Sequence, residues 1–362
     1  MNRRVRCQYC DKRVRLENIE EGYEYKCPRC ASLVYRPGTS RLVATTLSIS
    51  SLLILFWAVA SPLLNVEIMG YVELSLLETF LVSLKEHFFI VLFLILITLI
   101  IPTVMSILVL LIIYSKELQF SLSSSKKLVG LYLLIKEWNM IEVYFLGLLI
   151  TLVKLYQIST VTLLYGFWFN LLYVVLLYIN LIIFNPLDFV HIKIRSPLKK
   201  NSLLKTSIFL SLAIIFIFPA NFVTMMTTYK FSVVYDNTIM DGINSFINDG
   251  EVFVPLIIFL ASICLPILKI LSLLFLQLVV YFDLLQNNRK FLTKYYLIMD
   301  KVGKYSLLDV FVVIIGFSYI QFENIVSSDI GNGMIPFCFV VIFTMLASKS
   351  FDTKLLWHNT RT

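Results

Sequence analysis

Two groups of residues in this sequence could do chemistry. The first is Cys7-Gln-Tyr-Cys10, followed after sixteen residues by Cys27-Pro-Arg-Cys30. Zinc takes four ligands in a tetrahedron, and each C-x-x-C turn can present two thiolates to one ion. The spacing lies inside the range of such sites. The polar, alternating segment between the pairs, with Tyr23 and Tyr25, predicts the short β-hairpin of a zinc ribbon. Four thiolates leave no open coordination position, so Cys7, Cys10, Cys27 and Cys30 would hold a structural zinc rather than a catalytic one. The alternatives are two disulfides or unligated thiols. No apolar signal segment precedes the cysteines, so they are expected in a reducing cytosol, where clustered thiols more often bind metal.

The second group is the charge inside apolar runs. Lys269 lies 17 residues into the run 252–281, three residues after Pro266. A charge at bilayer depth costs at least about 2.5–3.5 kcal/mol and faces a bundle interior or a wet cavity. Proline cannot complete the helical hydrogen-bond ladder, so Pro266, like Pro102 earlier, predicts a kink. Lys269, with Asn221, Thr224 and Thr344 at similar depth, is expected to form an intramembrane polar site. Lys154 is the other deep cation. The site would contact lipid phosphate or act as a proton-linked switch, since a buried lysine readily loses its proton; the alternative is a structural lysine satisfied by carbonyls and hydroxyls. Cys264 and Cys338 stand alone in apolar runs and read as small buried hydrophobes.

The elements that must position these groups follow from composition. The chain has 362 residues, 59% hydrophobic and 15% charged, against about 45–50% and about 25% in a soluble domain. That excess excludes a soluble enzyme and a disordered chain. A membrane-crossing helix needs about 20 apolar residues. Segments 42–64, 88–114, 161–184, 206–229 and 330–348 qualify without an internal charge, while 140–159, 252–281 and 305–322 carry Glu142 and Lys154, Lys269, and Asp309. Eight crossings are expected. With the N-terminus inside, 27 of the 31 Lys and Arg fall on the inside and only two outside, where ten acidic residues lie. The net charge of +8 is therefore an orientation signal placing both termini in the cytosol, not a nucleic-acid surface.

The two halves repeat one another. Ala58, Ser75, Pro102, Trp138 and Leu187 have counterparts at Ala220, Thr238, Pro266, Tyr305 and Phe351, at offsets of 162 to 167. Two parallel four-helix modules, 39–184 and 206–362, follow a ribbon at 1–38 and are joined by a basic linker at 185–205. Glu142 and Asp309 hold equivalent places at the starts of the third and seventh spans, where a carboxylate favours a helix N-terminus. Asp188 and Asp352 lie just beyond the fourth and eighth, in expected tight exit turns. No G-x-x-x-x-G-K-[ST], H-E-x-x-H or G-x-S-x-G occurs, and His87, His191 and His358 are scattered, so an enzyme is not expected.

At this point the chain resembles the paraquat-inducible protein A family of bacterial inner-membrane proteins. The resemblance rests on Cys27-Pro-Arg-Cys30 with Leu33 and Tyr35 after it, Pro219-Ala-Asn221, Thr238-Ile-Met-Asp-Gly242, Ala261-Ser with Pro266 and Lys269, Tyr305-Ser with Asp309-Val-Phe, and Thr344-Met with Ala347 and Phe351-Asp352. It extends to Glu142-Val and Val153-Lys-Leu155 in the first half. The chain departs from the family in one respect: members commonly carry a second four-cysteine ribbon before the fifth span, and 185–205 contains no cysteine. The resemblance implies tetraspanin-like modules and an inner-membrane component of intermembrane lipid transport. Such a component loads phospholipid into, or accepts it from, a periplasmic MCE-domain tunnel protein docked on the outer segments 65–87 and 230–251. The alternatives are an ion-coupled small-molecule secondary transporter and a zinc-dependent scaffold or sensor.

Overall fold

The computed structural model describes residues 3–16, 23–38, 40–67, 71–84, 88–158, 160–190, 199, 201–230, 233–248, 256, 259–308, 310–312 and 326–357. Two antiparallel hairpins open the chain: β1 (Arg3–Arg6) pairs with β2 (Arg13–Leu16), and β3 (Tyr25–Lys26) with β4 (Leu33–Tyr35). The first apolar helix, α1 (Arg41–Ala60), starts at Ser40, whose hydroxyl accepts from the Val43 amide. It stops at Ser61-Pro62, because proline has no N–H to donate and disfavours helix in the residue before it.

The chain then turns into a hairpin, β5 (Pro62–Glu67) and β6 (Tyr71–Ser75), and runs through α2 (Leu76–Leu84) and the long α3 (Phe88–Ile113). Next come α4 (Leu122–Lys136), α5 (Ile141–Ile158), β7 (Thr160–Leu163), α6 (Tyr165–Ile183) and a single turn, α7 (Pro186–Phe189). The second half follows the same order: α8 (Ser202–Phe222), β8 (Met226–Lys230), β9 (Val233–Asn237), α9 (Ile239–Asn248), α10 (Ser262–Tyr281), α11 (Arg289–Val302), β10 (Val326–Ile330) and α12 (Met334–Ser350).

The halves match in detail. β5 is the middle strand of an antiparallel sheet between β6 and β7, and β8 is the middle strand between β9 and β10. α1 packs along α6, as α8 packs along α12. Glu78 takes the amide and hydroxyl of Ser75 at 2.8 Å and its own amide bonds the Ser75 hydroxyl; Asp241 and Thr238 make the same three bonds, which close a capping box. The helices around Pro102 and Pro266 share one local form. A π-helical turn, Leu96–Ile100 or Phe259–Cys264, precedes Pro102 or Pro266, each at the second position of the helix that follows. Widening the turn gives room to the carbonyl that the proline ring would otherwise strike.

Among the described residues, α1, α3, α6, α8 and α10 are long and apolar enough to cross a membrane, while α12, with 17 residues, is shorter. Two expectations need correction. The chain is mostly helical but not all-α beyond the ribbon, since the two three-stranded sheets add β-structure at the opposite end of the helices. For the same reason the runs 42–64, 161–184, 206–229 and 330–348 are not helical throughout: their ends at 62–64, 161–163, 226–229 and 330 are strand. Hydropathy does not distinguish an apolar strand from the helix it abuts. The expected third span is α5. The expected seventh, 305–322, lies largely outside the described residues. The halves meet where α5 crosses 307–312: Gly147 leaves no room for a Cβ, which would lie 2.6 Å from Phe311 Cβ, and the Tyr144 and Phe311 rings pack edge-on.

Candidate functional site

Each C-x-x-C pair sits on a turn closed by the backbone. The Cys7 amide donates to the Lys12 carbonyl and Asp11 to Cys7, both at 3.0 Å; Cys27 donates to Ser32 and Ala31 to Cys27, both at 2.8 Å. Asp11 and Ala31 complete these turns with φ of 57° and 58°. The result places all four buried sulfurs within 4.8 Å of one another. The Cys7–Cys30 and Cys10–Cys27 Sγ separations are both 3.5 Å, far longer than a disulfide at about 2.05 Å. They are close to the ~3.8 Å edge of a tetrahedron with ~2.3 Å metal–sulfur bonds. Hydrogen bonds from Cys30 hold the Cys7 thiol down at about 4, and Ser32 adds to this, while the resulting thiolate pushes Cys30 up. The four cysteines can hold one metal ion.

The ribbon is fixed to both halves. On the first, Asp188 accepts from the Gly38 amide at 2.6 Å and from the Tyr35 hydroxyl, and the Asn185 side-chain amide donates to the Arg36 carbonyl at 2.6 Å. On the second, the Thr353 hydroxyl donates to the Tyr9 carbonyl at 3.1 Å, and the Arg29 guanidinium stacks over Trp357. Burial, then the nearby Asp300 charge, pushes the Tyr9 phenol up to about 12. Asp352, the counterpart of Asp188, is buried and accepts from the amides of Lys199 at 2.9 Å and Lys354 at 3.1 Å. Gly38 and Lys199 each stand three residues before a membrane helix. Both exit-turn carboxylates thus hold the strand of chain that enters their own half.

At the ribbon end of the second half lies a cluster of charge. Lys269 on α10 is only 2% exposed, and its stem fills the space that a side chain at Gly303 would need. The charged groups acting on it are Asp300, Lys349 and Lys304. Asp300 accepts from the Ser348 hydroxyl, and Tyr296 donates to the Ser348 carbonyl at 2.8 Å. Lys349 bridges to Glu137 of the first half at 2.8 Å. Burial, then Lys349, lowers the Lys304 ammonium, while Asp300, Glu142 and Glu137 oppose the shift. A polar cavity of about 250 Å³ opens among these groups, lined by Tyr9, Glu137, Tyr296, Asp300 and Lys349.

Thr344 is buried one turn before Ser348 and bonds the Val341 carbonyl. Asn221 bonds the Ile217 carbonyl of its own helix, and the Thr224 carbonyl lies against Gly331 and Gly333 at the sheet end. The structure therefore gathers Lys269 with ribbon-end charges and leaves Asn221 and Thr224 at the other end of α8. Glu142 is exposed in the first turn of α5, but the cap is Asn139, whose side chain takes the Ile141 amide at 3.0 Å. The Lys154 side chain and Asp309 lie outside the described residues. Sequence reasoning missed Asp300, Gly303, Lys304 and Lys349, because all four fell in stretches read as solvated cytosolic chain. Their signal was weak: a glycine and a carboxylate directly before a span that starts with Tyr305.

A bundle of apolar helices, two three-stranded sheets and a tethered ribbon whose four cysteines could hold a metal ion are the features of a multi-pass membrane protein. The sequence model of the paraquat-inducible protein A family matches residues 42–189 and 203–361. The chain belongs to that family. It is 26% identical over 401 residues to a probable intermembrane transport protein of Haemophilus influenzae, covering 98% of this chain and 95% of that one. It is 25% identical over 405 residues to the intermembrane transport protein PqiA of Escherichia coli strain K12, with the same coverage. The lipophilic envelope-spanning tunnel protein A of that strain is 31% identical over 169 residues, covering 46% of this chain and 38% of that one. The two longer alignments exceed this chain's 362 residues, so those relatives carry stretches that it lacks. No solved structure matches.

Proposed function

We propose that this chain is the inner-membrane component of an intermembrane lipid-transport system, loading phospholipid into, or accepting it from, a periplasmic tunnel protein with MCE domains. The observation that carries the reading is similarity over 98% of the chain to proteins named for intermembrane transport. Named relatives are transport proteins rather than enzymes, in keeping with the lack of a catalytic motif. In this reading the chain crosses the membrane eight times in two parallel four-helix modules, an arrangement supported by the matching strand order, capping boxes and π-turn–proline pairs of the halves. Both termini and the ribbon are cytosolic, and the sheets face the periplasm, where the partner docks.

In this reading the ribbon carries a structural zinc bound by Cys7, Cys10, Cys27 and Cys30. Zinc supplies the crosslink that lets a fold of about 40 residues persist. Lys269, together with Thr344, is the intramembrane group that meets lipid phosphate or responds to a proton; Asp300, Lys304 and Lys349 set the field around it. Asn221 and Thr224 line the same half nearer the sheets, and Lys154 serves the first. Glu142 and Asp309, Asp188 and Asp352 are paired positions of the two modules.

Purification from native membranes tests the reading. An MCE-domain protein and phospholipid are expected to accompany the chain, and a deletion strain is expected to show altered envelope permeability. A chain isolated without either, in a strain with unchanged envelope lipid, would overturn it.

A further inference from the structure

A crevice of about 310 Å³ lies between the ribbon and the ribbon end of α6, apart from the charge cluster around Lys269. Its apolar lining includes Leu181 and the buried Phe184 at the end of the span, with Leu33 of the ribbon at its exposed edge. Its charged lining residues are Arg6, Arg36 and Lys136, and no carboxylate lines it. Arg6 and Arg36 each hold a carboxylate partner that does not line the crevice, Asp11 at 3.3 Å and Glu24 at 2.6 Å. Lys136 has none among the described residues: its ammonium donates to the Leu181 carbonyl at 3.0 Å and sits 5.8 Å from the Tyr132 ring. Burial, then the neighbouring cations Lys304 and Arg36, lowers its proton affinity. An ammonium so placed keeps donors unused and gains from an anion.

The surroundings identify the anion's carrier. The exposed side chains at the crevice include apolar ones, Leu33 at 49% and Ile182 at 41%, beside the polar Gln8 and Arg36. Water does not favour the apolar ones, but acyl chains do. The crevice lies at the end of α6, a helix long and apolar enough to cross a membrane, and the ends of such a helix reach the headgroup layer. Basic pockets at the cytosolic ends of spanning helices have the chemistry to take acidic headgroups.

We propose that this crevice binds one acidic phospholipid of the inner leaflet, its phosphate on Lys136 between Arg6 and Arg36 and an acyl chain over Leu181 and Leu33. The lipid joins the ribbon to the first half of the bundle, beside the Asp188 tether. The site stands independently of lipid transport: it would hold its lipid in a protein that transferred none.

The test is native mass spectrometry of the full-length protein in mild detergent. Phosphatidylglycerol, phosphatidylcholine or inorganic phosphate is added. One phosphatidylglycerol is expected to remain bound, phosphatidylcholine to be lost, and excess inorganic phosphate to leave the lipid in place. Lys136→Met is expected to weaken retention about fivefold, the effect of one basic residue at a membrane surface. Lys136→Arg is expected to restore it. An unchanged metal content and elution profile in Lys136→Met would show that the fold is intact. Equal retention of the two lipids, or loss of phosphatidylglycerol to inorganic phosphate, would overturn the proposal. So would undiminished binding in Lys136→Met. Retention is read without any transfer step, so its failure and a failure of lipid transport are separate results.

Discussion

Alanine at Gly303 would add a carbon where the protein has no room for one. An ideal Cβ there lies 2.6 Å from Cδ of Lys269 and 2.8 Å from its Cε and Nζ. A flexible side chain on the surface would swing away cheaply. Lys269 cannot, since it is 2% exposed and its ammonium is held in the field of Asp300 between two other lysines. Overpacking a filled interior costs about 1–3 kcal/mol. Gly303→Ala is therefore expected to lower the apparent melting midpoint by roughly 1–2 °C per kcal/mol in a chain of 362 residues, or about 2–4 °C for a mid-range cost. In a Lys269→Ala background the obstructing atoms are gone, and the same change should cost less than about 0.5 kcal/mol. Thermal unfolding of the four proteins in one detergent, followed by tryptophan fluorescence, measures the coupling. An equal loss in both backgrounds would refute the packing of Lys269 on Gly303, and with it the gathering of Asp300, Lys304 and Lys349 around that lysine.

Other outcomes follow from the ribbon and its tethers. Purified protein is expected to contain one zinc ion per chain, and Cys7→Ser to lose it, as elemental analysis reads directly. Ala31→Gly relieves a left-handed residue at φ 58° and should strengthen the ribbon by about 1 kcal/mol, measured as slower zinc loss to a chelator. Asp188→Asn weakens the charged hydrogen bonds to Gly38 and Tyr35, each worth about 1.5–3 kcal/mol when buried, and should speed proteolysis between ribbon and bundle. Tyr9 is raised in the folded state from 10.0 to about 12, so the stability gained by keeping it neutral is complete below pH 10 and is lost as pH climbs towards 12. Wild type should loosen its ribbon in that window more than Tyr9→Phe, by proteolysis at each pH.

The ribbon was legible because its chemistry is local: ligand type and spacing are both written within thirty residues, and the fold had only to close two turns. The apolar runs were legible as runs, but not their ends. Pro62 marks a change from helix to strand within a stretch of unbroken hydropathy, and 226–229 makes the same change without a proline, so no local residue announces it. Prolines 102 and 266 gave the position of a distortion, and the π-turn before each gives its form. The charge cluster was hidden for another reason. Lys269 stood out as a lone cation in an apolar segment, whereas Asp300, Lys304 and Lys349 stood in polar stretches where charge is unremarkable. Only the return of α11 along α10, and the end of α12 beside both, makes them neighbours. Depth along a span was likewise a poor guide to company: Asn221 and Thr224 were grouped with Lys269 by depth, and the fold leaves them at the sheet end.

Reconstituted transfer tests the central claim most directly. Donor liposomes would carry the chain and labelled phospholipid, with the purified MCE-domain partner bridging to unlabelled acceptors. Label is expected in the acceptors only when chain and partner are both present, and it should fall sharply with Lys269→Met. Transfer that proceeds equally without the chain, or ion-driven uptake of a small solute by the chain alone, would contradict the account.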